Sequence, residues 1–193
     1  MRELSEFAKQ FLSRATSHVT RWHHRHAAWK ESLAEHHALT GRMAYEVGCL
    51  LIDLGICTTS EVIPEKVLVA GVYHDEHETV TGDIPASAKR LIPGMREVIE
   101  RWDRTATQML WGDYPEQLQE RLRRIVRQSA LTEVEKQVVH YSDALSAYSY
   151  ARDQVLMGNE YFKHIVEFTE SEEYLAGLDY PWLSELREAA GLP

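Results

Sequence analysis

Apolar residues recur along much of this chain at intervals of three and four positions, the spacing that places them on one face of an α-helix. The clearest stripe lies within residues 31–54 and consists of Leu39, Met43, Val47, Leu50, Leu51 and Leu54. Gly55 follows it directly, at the position where glycine commonly ends a helix. The alternation of apolar and polar residues that is typical of strands is scarce. The pattern therefore predicts an all-α protein.

Helices are predicted on both sides of this central one. An amphipathic helix opens the chain, with apolar residues at Leu4, Phe7, Phe11 and Leu12. Residues 20–30 break the helical pattern and indicate an irregular connector. From Pro64 a nearly continuous apolar segment predicts a buried helix that ends in polar residues, with Thr59 or Ser60 as its N-cap. The sequence Gly82–Pro85 predicts a turn, because proline cannot continue a helix.

The second half of the chain predicts further helices from 86 to 104 or beyond, with an interruption at Pro93–Gly94, over 115–128 and over 132–157. Thr132 and Glu135 have the spacing of a capping box, and Gly158 is a natural helix stop. A tail from about residue 159 is predicted to hold one more helix. Because no repeat, low-complexity stretch or linker divides the chain, residues 1–193 are predicted to form a single domain.

Charge and composition exclude some classes of partner. The chain of 193 residues carries a formal net charge of -9, whereas affinity for a nucleic-acid backbone requires concentrated positive charge, so no nucleic-acid polymer is expected. No stretch approaches the roughly 20 apolar residues that a membrane helix needs, and the amphipathic N-terminus lacks a signal peptide's apolar region. Cys49 and Cys57 lie in or beside an apolar run and are expected to be reduced. We therefore expect a cytoplasmic protein without a membrane partner.

Histidine is abundant, with ten residues in the chain, which indicates metal or acid–base chemistry. His36 shares the apolar stripe with Leu39 and Met43 and is expected to point inward. His37 lies on a neighbouring face of small residues that suits a close helix contact, so periodicity favours His36 without excluding His37. An inward histidine is either a hydrogen-bonded core residue or a metal ligand.

A second group follows the buried helix that starts at Pro64. Glu78 comes four residues after His74 and three after Asp75, so the three side chains can gather on one side of a helix. Burying an imidazole with two carboxylates is costly unless a positive charge lies between them, and a divalent cation suits this donor set. The alternative is that the helix has reached the surface and this segment is a solvated acidic end.

Asp143 completes a possible set of ligands. It lies within the predicted helix over 132–157, on a face with smaller residues that ordinary helix packing explains equally well. The order matters more than any member: an inward His, then His–Asp, then a late Asp supply four ligands from three helices. Such a cage leaves positions open for water and substrate, as a catalytic metal site requires.

In these residues the sequence resembles the HD-domain 5′-deoxynucleotidases, which are related to phage-type HD-domain dATP triphosphohydrolases. The resemblance spans about residues 15 to 160 and is carried by Arg21–Trp22, Glu35–His36, Tyr73–His74–Asp75, Glu78, Thr81–Gly82–Asp83–Ile84–Pro85, Lys89 and Ser142–Asp143–Ala144–Leu145. It selects His36 over His37 and implies the helical bundle of an HD domain.

The resemblance also implies a role for each residue. The implied metal ligands are His36, His74, Asp75 and Asp143. Glu78 is implied as the catalytic residue that handles the water and the leaving-group proton. Arg21 and Lys89 are implied as phosphate contacts. Asp83 is implied to accept the sugar 3′-hydroxyl, and Trp22 to pack on deoxyribose and leave no room for a 2′-hydroxyl.

The implied activity is metal-dependent hydrolysis of the 5′-phosphate of a small-molecule deoxynucleotide. A deoxynucleoside monophosphate is the leading substrate, and the nearest alternative is a dNTP, particularly dATP, that releases triphosphate. A hydrolase of another nucleotide class is a second alternative, and a non-enzymatic helical scaffold a third. One divalent metal ion such as Co, Mn or Zn is the expected cofactor, and a homo-oligomer, either a dimer or a hexamer, is the expected assembly.

Three features depart from the relatives. Residues 23–26 are basic and histidine-rich, and form either additional phosphate contacts or a solvated loop. His140 stands one turn before Asp143, where a lysine is expected, so a phosphate contact there is expected to be weaker or pH-dependent. Glu76 and His77 are bulkier and more polar than usual at their positions and are expected to alter the surroundings of the metal.

Overall fold

The computed structural model describes residues 5–23, 25–84, 92–167 and 174–193. Its α-helices are α1 (Glu6–Phe11), α2 (Leu33–Asp53), α3 (Pro64–Tyr73), α4 (Glu78–Thr81), α5 (Met95–Trp111), α6 (Glu116–Val126), α7 (Glu133–Leu156), α8 (Glu160–Glu167) and α9 (Leu183–Ala190). Among these residues the one β-type pairing is an isolated antiparallel bridge between Thr20, at the start of the predicted connector, and Ser32, just after its end. The all-α prediction is therefore confirmed.

Helix α2 lies at the centre of the fold, where it packs against both α3 and α7. Its start is fixed by a capping box in which the Glu35 amide donates to Oγ of Ser32 at 3.2 Å and the Ser32 amide donates to Oε2 of Glu35 at 2.7 Å. Gly55, with φ of 72°, follows its end in the left-handed conformation that glycine adopts without strain. The helix predicted over 31–54 thus has the expected limits to within two residues.

Helices α2 and α3 touch backbone to backbone at two glycines. A Cβ added to Gly71 would lie 2.9 Å from Cα of Gly41, which is closer than real side chains approach. The face of small residues on α2 is therefore a close helix contact. This contact brings His36, one turn before Gly41, near His74, which directly follows α3.

The prediction of one helix from Pro64 into the polar residues was wrong in two respects. The helix ends at Tyr73, and a turn precedes the short α4. The N-cap is Ile63 rather than Thr59 or Ser60. The physical reason is that Pro64, with its φ already helical, starts the helix, whereas the hydroxyl of Thr58 closes a separate turn by donating to Oε2 of Glu61 at 2.7 Å.

Helix α5 begins at Met95, directly after the predicted interruption at Pro93–Gly94, and extends past residue 104 to Trp111. The earlier part of that predicted helix, up to residue 91, lies outside the described residues. Helix α6 starts at Glu116 with Pro115 as its N-cap.

Helix α7 has the predicted capping box between Thr132 and Glu135, and Gly158 follows its end with φ of 84°. The fully buried carboxylate of Glu135 also accepts a hydrogen bond from the Ile63 amide at 3.2 Å and from Nζ of Lys66 at 2.6 Å. One carboxylate therefore ties the start of α3 to the start of α7.

The described part of the tail contains the helices α8 and α9, and residues 174–176 are also helical, where the sequence predicted one helix. Helices α8 and α9 both span eight residues, too few for a clear apolar stripe to recur. Trp182 is 3% exposed, stacks on Tyr180 with ring centroids 5.4 Å apart, and donates from Nε1 to Oε1 of Gln137 at 2.9 Å. The aromatic end of the chain therefore packs against α7.

Both cysteines, Cys49 and Cys57, are free thiols, as predicted. Within the described ranges, we find no helix with the length and apolar character needed to span a bilayer.

Candidate active site

The four residues predicted as metal ligands lie in one cluster. Nε2 of His36, on α2, is 3.0 Å from Oδ1 of Asp143, on α7. Nε2 of His74 is 3.3 Å from Nε2 of His36, 3.5 Å from Oδ1 of Asp143 and 3.3 Å from Oδ2 of Asp75. The close contact of α2 with α3, and the packing of both on α7, bring these atoms together.

The imidazole rings are oriented by their other nitrogens. Nδ1 of His74 donates to the carbonyl oxygen of Gly71 at 2.7 Å, and Nδ1 of His36 lies 3.0 Å from Oγ of Ser146. Both Nε2 atoms are thereby directed at each other and at the carboxylates. Imidazole nitrogens with a hydrogen-bonded second nitrogen, beside carboxylate oxygens, are the donors that divalent transition metals prefer. The cluster fits a divalent metal ion.

The charges in the cluster are strongly coupled. Burial, together with the charge of Arg21, lowers the pKa of His36 to about 4. Burial also opposes the charge on His74, but Asp75 and Asp143 outweigh it and raise the pKa of His74 well above its ordinary value. Hydrogen bonds from both imidazoles overcome burial and hold the pKa of Asp143 well below its ordinary value. The carboxylates are thus arranged to face positive charge, which is what a bound cation would provide.

Glu78 lies beside this cluster. It is 1% exposed. One carboxylate oxygen of Glu78, one of Asp75 and one ring nitrogen of His77 all lie within 4.8 Å of one another. The amide of Glu78 donates to the carbonyl oxygen of Asp75 at 2.9 Å. The expected proximity of Asp75 and Glu78 is therefore found, although a turn after α3 produces it and not a continuous helix.

A cavity of about 320 Å³ borders the cluster, and its lining includes His74, Asp143, Lys136, His140 and Tyr180. This volume is near the lower end of the range for ligand pockets, about 300–1,000 Å³. The side chain of Asp143 is 35% exposed and so faces the opening. A larger, more open depression of about 570 Å³ lies at the start of α2, and none of its described lining residues belongs to the cluster.

A family model for YfbR-like 5′-deoxynucleotidases matches residues 9–182, which is most of the chain. The chain belongs to the YfbR-like 5′-deoxynucleotidase family. It is thereby an enzyme of the HD-domain phosphohydrolase class, as the resemblance implied.

Individual proteins of similar sequence or fold are also 5′-deoxynucleotidases or HD-domain phosphohydrolases. A 5′-deoxynucleotidase of Vibrio vulnificus is 27% identical over 165 residues, covering 84% of each chain. An HD-domain phosphohydrolase from Listeria innocua has a similar fold, with a TM-score of 0.64 at 18% identity, over 91% of this chain and 92% of that one. The HD phosphohydrolase DatZ of cyanophage S-2L, bound to dA and one catalytic Zn²⁺ ion, matches with a TM-score of 0.62 at 14% identity, over 97% of this chain and 95% of its own.

Arg21 is one of the predicted substrate-binding residues. Its side chain is largely buried, with 14% exposed, and its Nη1 lies 3.4 Å from Oε2 of Glu31. Burial opposes its charge, but Asp143, Glu31 and Asp83 together raise the pKa of Arg21. The guanidinium therefore remains charged next to the carboxylates of the metal cluster.

Trp22 and Asp83 contact each other. The amide of Trp22 donates to Oδ2 of Asp83 at 3.2 Å, and Nδ1 of His23 lies 3.6 Å from the same oxygen. Trp22 has φ of 55°, an uncommon conformation for a residue with a side chain. The hydrogen bond to Asp83 helps to hold the connector in this conformation, so the two predicted sugar-binding residues form one unit.

Sequence reasoning missed the aromatic residues behind Trp22. Its ring stacks on Tyr150 of α7, with centroids 5.7 Å apart and an angle of 19°, and meets Phe162 of α8 edge-on at 5.7 Å. The hydroxyl of Tyr150 donates to the carbonyl oxygen of Trp29 at 2.6 Å. The sequence could have indicated Tyr150, because it shares the face of α7 that carries Asp143. No pattern near Phe162 in the sequence indicates its contact with Trp22.

The remaining predicted residues are placed as follows. Lys89 lies outside the described residues, and its phosphate contact stays a prediction.

In the basic segment 23–26, the guanidinium of Arg25 lies 5.6 Å from the ring centroid of Tyr161 on α8 and donates to its hydroxyl. His140 is exposed and hydrogen-bonds to the hydroxyls of Tyr174 and Tyr180 through its two ring nitrogens.

Glu76, which is unusually bulky and polar for its position in these relatives, lies close to a buried histidine. Nδ1 of His37 lies 3.8 Å from Oε2 of Glu76, and the ring of His37 packs edge-on against that of His74, with centroids 5.3 Å apart. His37 is therefore buried like His36, and the three imidazole rings of His36, His37 and His74 lie next to one another, with the His36 and His37 centroids 6.1 Å apart.

Proposed function

We propose that this protein hydrolyses deoxynucleoside 5′-monophosphates to a deoxynucleoside and inorganic phosphate. The observation that carries the proposal is the convergence of His36, His74, Asp75 and Asp143 next to the charged guanidinium of Arg21. Membership of a family named for 5′-deoxynucleotidase activity supports the choice of substrate.

The four clustered side chains would hold one divalent metal ion. A metal ion bound there lowers the pKa of a water molecule toward neutrality and polarises a phosphoryl oxygen. The relative DatZ is described with one catalytic Zn²⁺ ion, which supports a single ion here; Co²⁺ and Mn²⁺ suit the same donors.

The chain's own charged residues would bind the phosphate and move the proton. The planar guanidinium of Arg21 can grip two phosphate oxygens in a bidentate contact. Glu78, buried beside Asp75, would take the proton of the attacking water and deliver it to O5′ as the P–O5′ bond breaks. The water oxygen stays on phosphorus, so the products are phosphate and a free 5′-hydroxyl.

Sugar selection would rest on the Trp22–Asp83 unit. A carboxylate can accept several hydrogen bonds, so Asp83 can hold the Trp22 amide and accept the sugar 3′-hydroxyl together. The indole ring, fixed between Tyr150 and Phe162, would leave no room for a 2′-hydroxyl. Lys89 would add a further cation near the phosphate.

A substrate screen tests the proposal. Purified protein with Co²⁺ or Mn²⁺ is assayed on deoxynucleoside monophosphates, dNTPs and the matching ribonucleotides, with phosphate and triphosphate resolved. We expect phosphate release from the deoxynucleoside monophosphates. Release of triphosphate from dATP without turnover of dAMP would overturn the proposal in favour of a triphosphohydrolase, and equal turnover of ribonucleotides would favour another class of HD hydrolase. Oligomeric state and compartment stay predictions.

A further inference from the structure

Glu31 is a buried carboxylate next to the substrate-binding connector. It is 5% exposed and directly precedes Ser32, the N-cap of α2. The bridge between Thr20 and Ser32 sets the two chain segments side by side, and the amide of Arg21 donates to the carbonyl oxygen of Glu31 at 2.9 Å. The backbone therefore places the side chains of Arg21 and Glu31 next to each other.

The two side chains form an ion pair, with Nη1 of Arg21 3.4 Å from Oε2 of Glu31. Burying a carboxylate costs free energy, which a paired cation offsets. Burial raises the pKa of Glu31 to about 7, and Arg21 and the indole of Trp22 oppose that rise. Glu31 is thus kept in the interior at a cost, with Arg21 as its main partner.

The other carboxylates near Arg21 have different contacts. Asp75 and Asp143 belong to the cluster that fits a metal ion, and Asp83 holds the amide of Trp22. Their charges also favour the charged form of Arg21. Glu31, which belongs neither to the metal cluster nor to the Trp22–Asp83 contact, is therefore placed to fix the direction of the guanidinium.

We propose that Glu31 is a positioning residue, which holds the guanidinium of Arg21 in the orientation that binds the phosphate group. This proposal rests on the proposed function, in which Arg21 is the phosphate contact. A guanidinium has five N–H donors in a rigid fork, so a carboxylate behind it leaves other donors for the substrate. Glu31 acts on the substrate only through Arg21.

A double-mutant cycle of Glu31→Gln and Arg21→Ala tests this role. Glutamine has the shape of glutamate and lacks its charge. We expect Glu31→Gln to raise KM for a deoxynucleoside monophosphate about tenfold, the effect of losing one charge-assisted contact, with a much smaller change in kcat. Adding Glu31→Gln to Arg21→Ala should cause no further loss in kcat/KM. Independent, multiplying losses would overturn the proposal, because they would show that Glu31 acts without Arg21.

A second buried ion pair provides the matched control. Glu135 is fully buried and pairs with Lys66, away from the connector. Glu135→Gln should lower thermal stability and leave KM unchanged. If Glu31→Gln does not fold, Glu31→Asp, which keeps the charge on a shorter side chain, should raise KM less and show the same lack of additivity with Arg21→Ala. An unchanged KM in both Glu31 variants would overturn the proposal.

Binding of inorganic phosphate separates this proposal from the proposed function. Isothermal titration of the metal-loaded protein should show weaker phosphate binding in Glu31→Gln and in Arg21→Ala, with no further weakening in the double variant. If the wild type hydrolyses no deoxynucleotide, the proposed function fails, and this titration still decides the role of Glu31. Equal phosphate affinity in the wild type and Glu31→Gln would overturn it.

Discussion

The hydroxyl oxygen of Ser146 lies 3.0 Å from Nδ1 of His36, and both residues are fully buried. With a metal ion at Nε2, the neutral imidazole would donate Nδ1–H to this hydroxyl, which leaves the lone pair on Nε2 for the ion. Ser146 thus links the orientation of a predicted ligand to the interior of α7.

Replacing Ser146 should weaken metal binding. We expect Ser146→Ala to lower the affinity for Co²⁺ or Mn²⁺ by about 10- to 100-fold, the usual effect of losing a partner of a ligating histidine. Isothermal titration calorimetry with the metal ion measures the change in its dissociation constant. Ser142→Ala is the control, because Ser142 is fully buried one turn earlier and its hydroxyl lacks a hydrogen-bond partner among the described residues. Equal affinities in the two variants would contradict the role of Ser146.

The carboxylates of Asp75 and Asp143 should be required for activity and dispensable for the fold. Either residue changed to Ala is expected to abolish metal-dependent turnover while the helical circular dichroism spectrum is retained. Wild-type protein should gain about 2.7 kcal/mol of stability when the free metal is 100 times its dissociation constant, and the variants should lose this gain. Asp153→Ala, an exposed change on the same helix, should keep both properties. Metal-dependent turnover by Asp143→Ala would contradict the assignment.

Trp22 should control the choice between deoxyribose and ribose. Removing the indole opens the space beside Tyr150 and Phe162, so Trp22→Ala should reduce the preference for 2′-deoxy substrates by about 10- to 100-fold, in line with the rejection of one added hydroxyl by a tight pocket. The ratio of kcat/KM for dAMP and AMP measures it. Trp102→Ala, at a tryptophan that is 50% exposed, should leave the ratio unchanged, and an unchanged ratio in Trp22→Ala would refute its role.

The raised pKa of Glu31 predicts a pH-dependent stability. Burial raises this pKa from 4.5 to about 7 in the native state. Between these values the native state keeps a proton that the unfolded state has released, so the contribution of Glu31 to the free energy of unfolding falls as pH rises. Urea unfolding at pH 5 and pH 8 should therefore show Glu31→Gln gaining stability relative to the wild type as the pH rises. A constant difference across this window would contradict the raised pKa.

The glycine contact between α2 and α3 should be intolerant of a single methyl group. Gly71→Ala would place Cβ 2.9 Å from Cα of Gly41, so the helices must move apart, at a cost of about 1–3 kcal/mol in the free energy of unfolding. Gly48→Ala is the control, because its Cβ would meet its nearest neighbour at 3.4 Å and alanine favours the helix. Equal unfolding free energies for the two variants would show that the contact tolerates a side chain.

The sequence by itself predicted most of the helices and the order of the candidate ligands. The stripe that became α2, the capping box of Thr132 and Glu135 and the stop at Gly158 were predicted, because they depend on residues within a few positions of one another. The order of His36, His74–Asp75 and Asp143 indicated a ligand set, although His74 and Asp75 lie in the turn after α3 and not within the predicted helix.

Only the tertiary structure decided which residues support that site. Ser146 meets His36 across 110 residues of chain, Phe162 meets Trp22 through the packing of α8 on α7, and Glu31 faces Arg21 through one isolated bridge. No local pattern encodes these contacts, because they depend on how the helices cross and on the path of an irregular connector. The close approach at Gly41 and Gly71 sets that crossing, and so it decides where the predicted ligands meet.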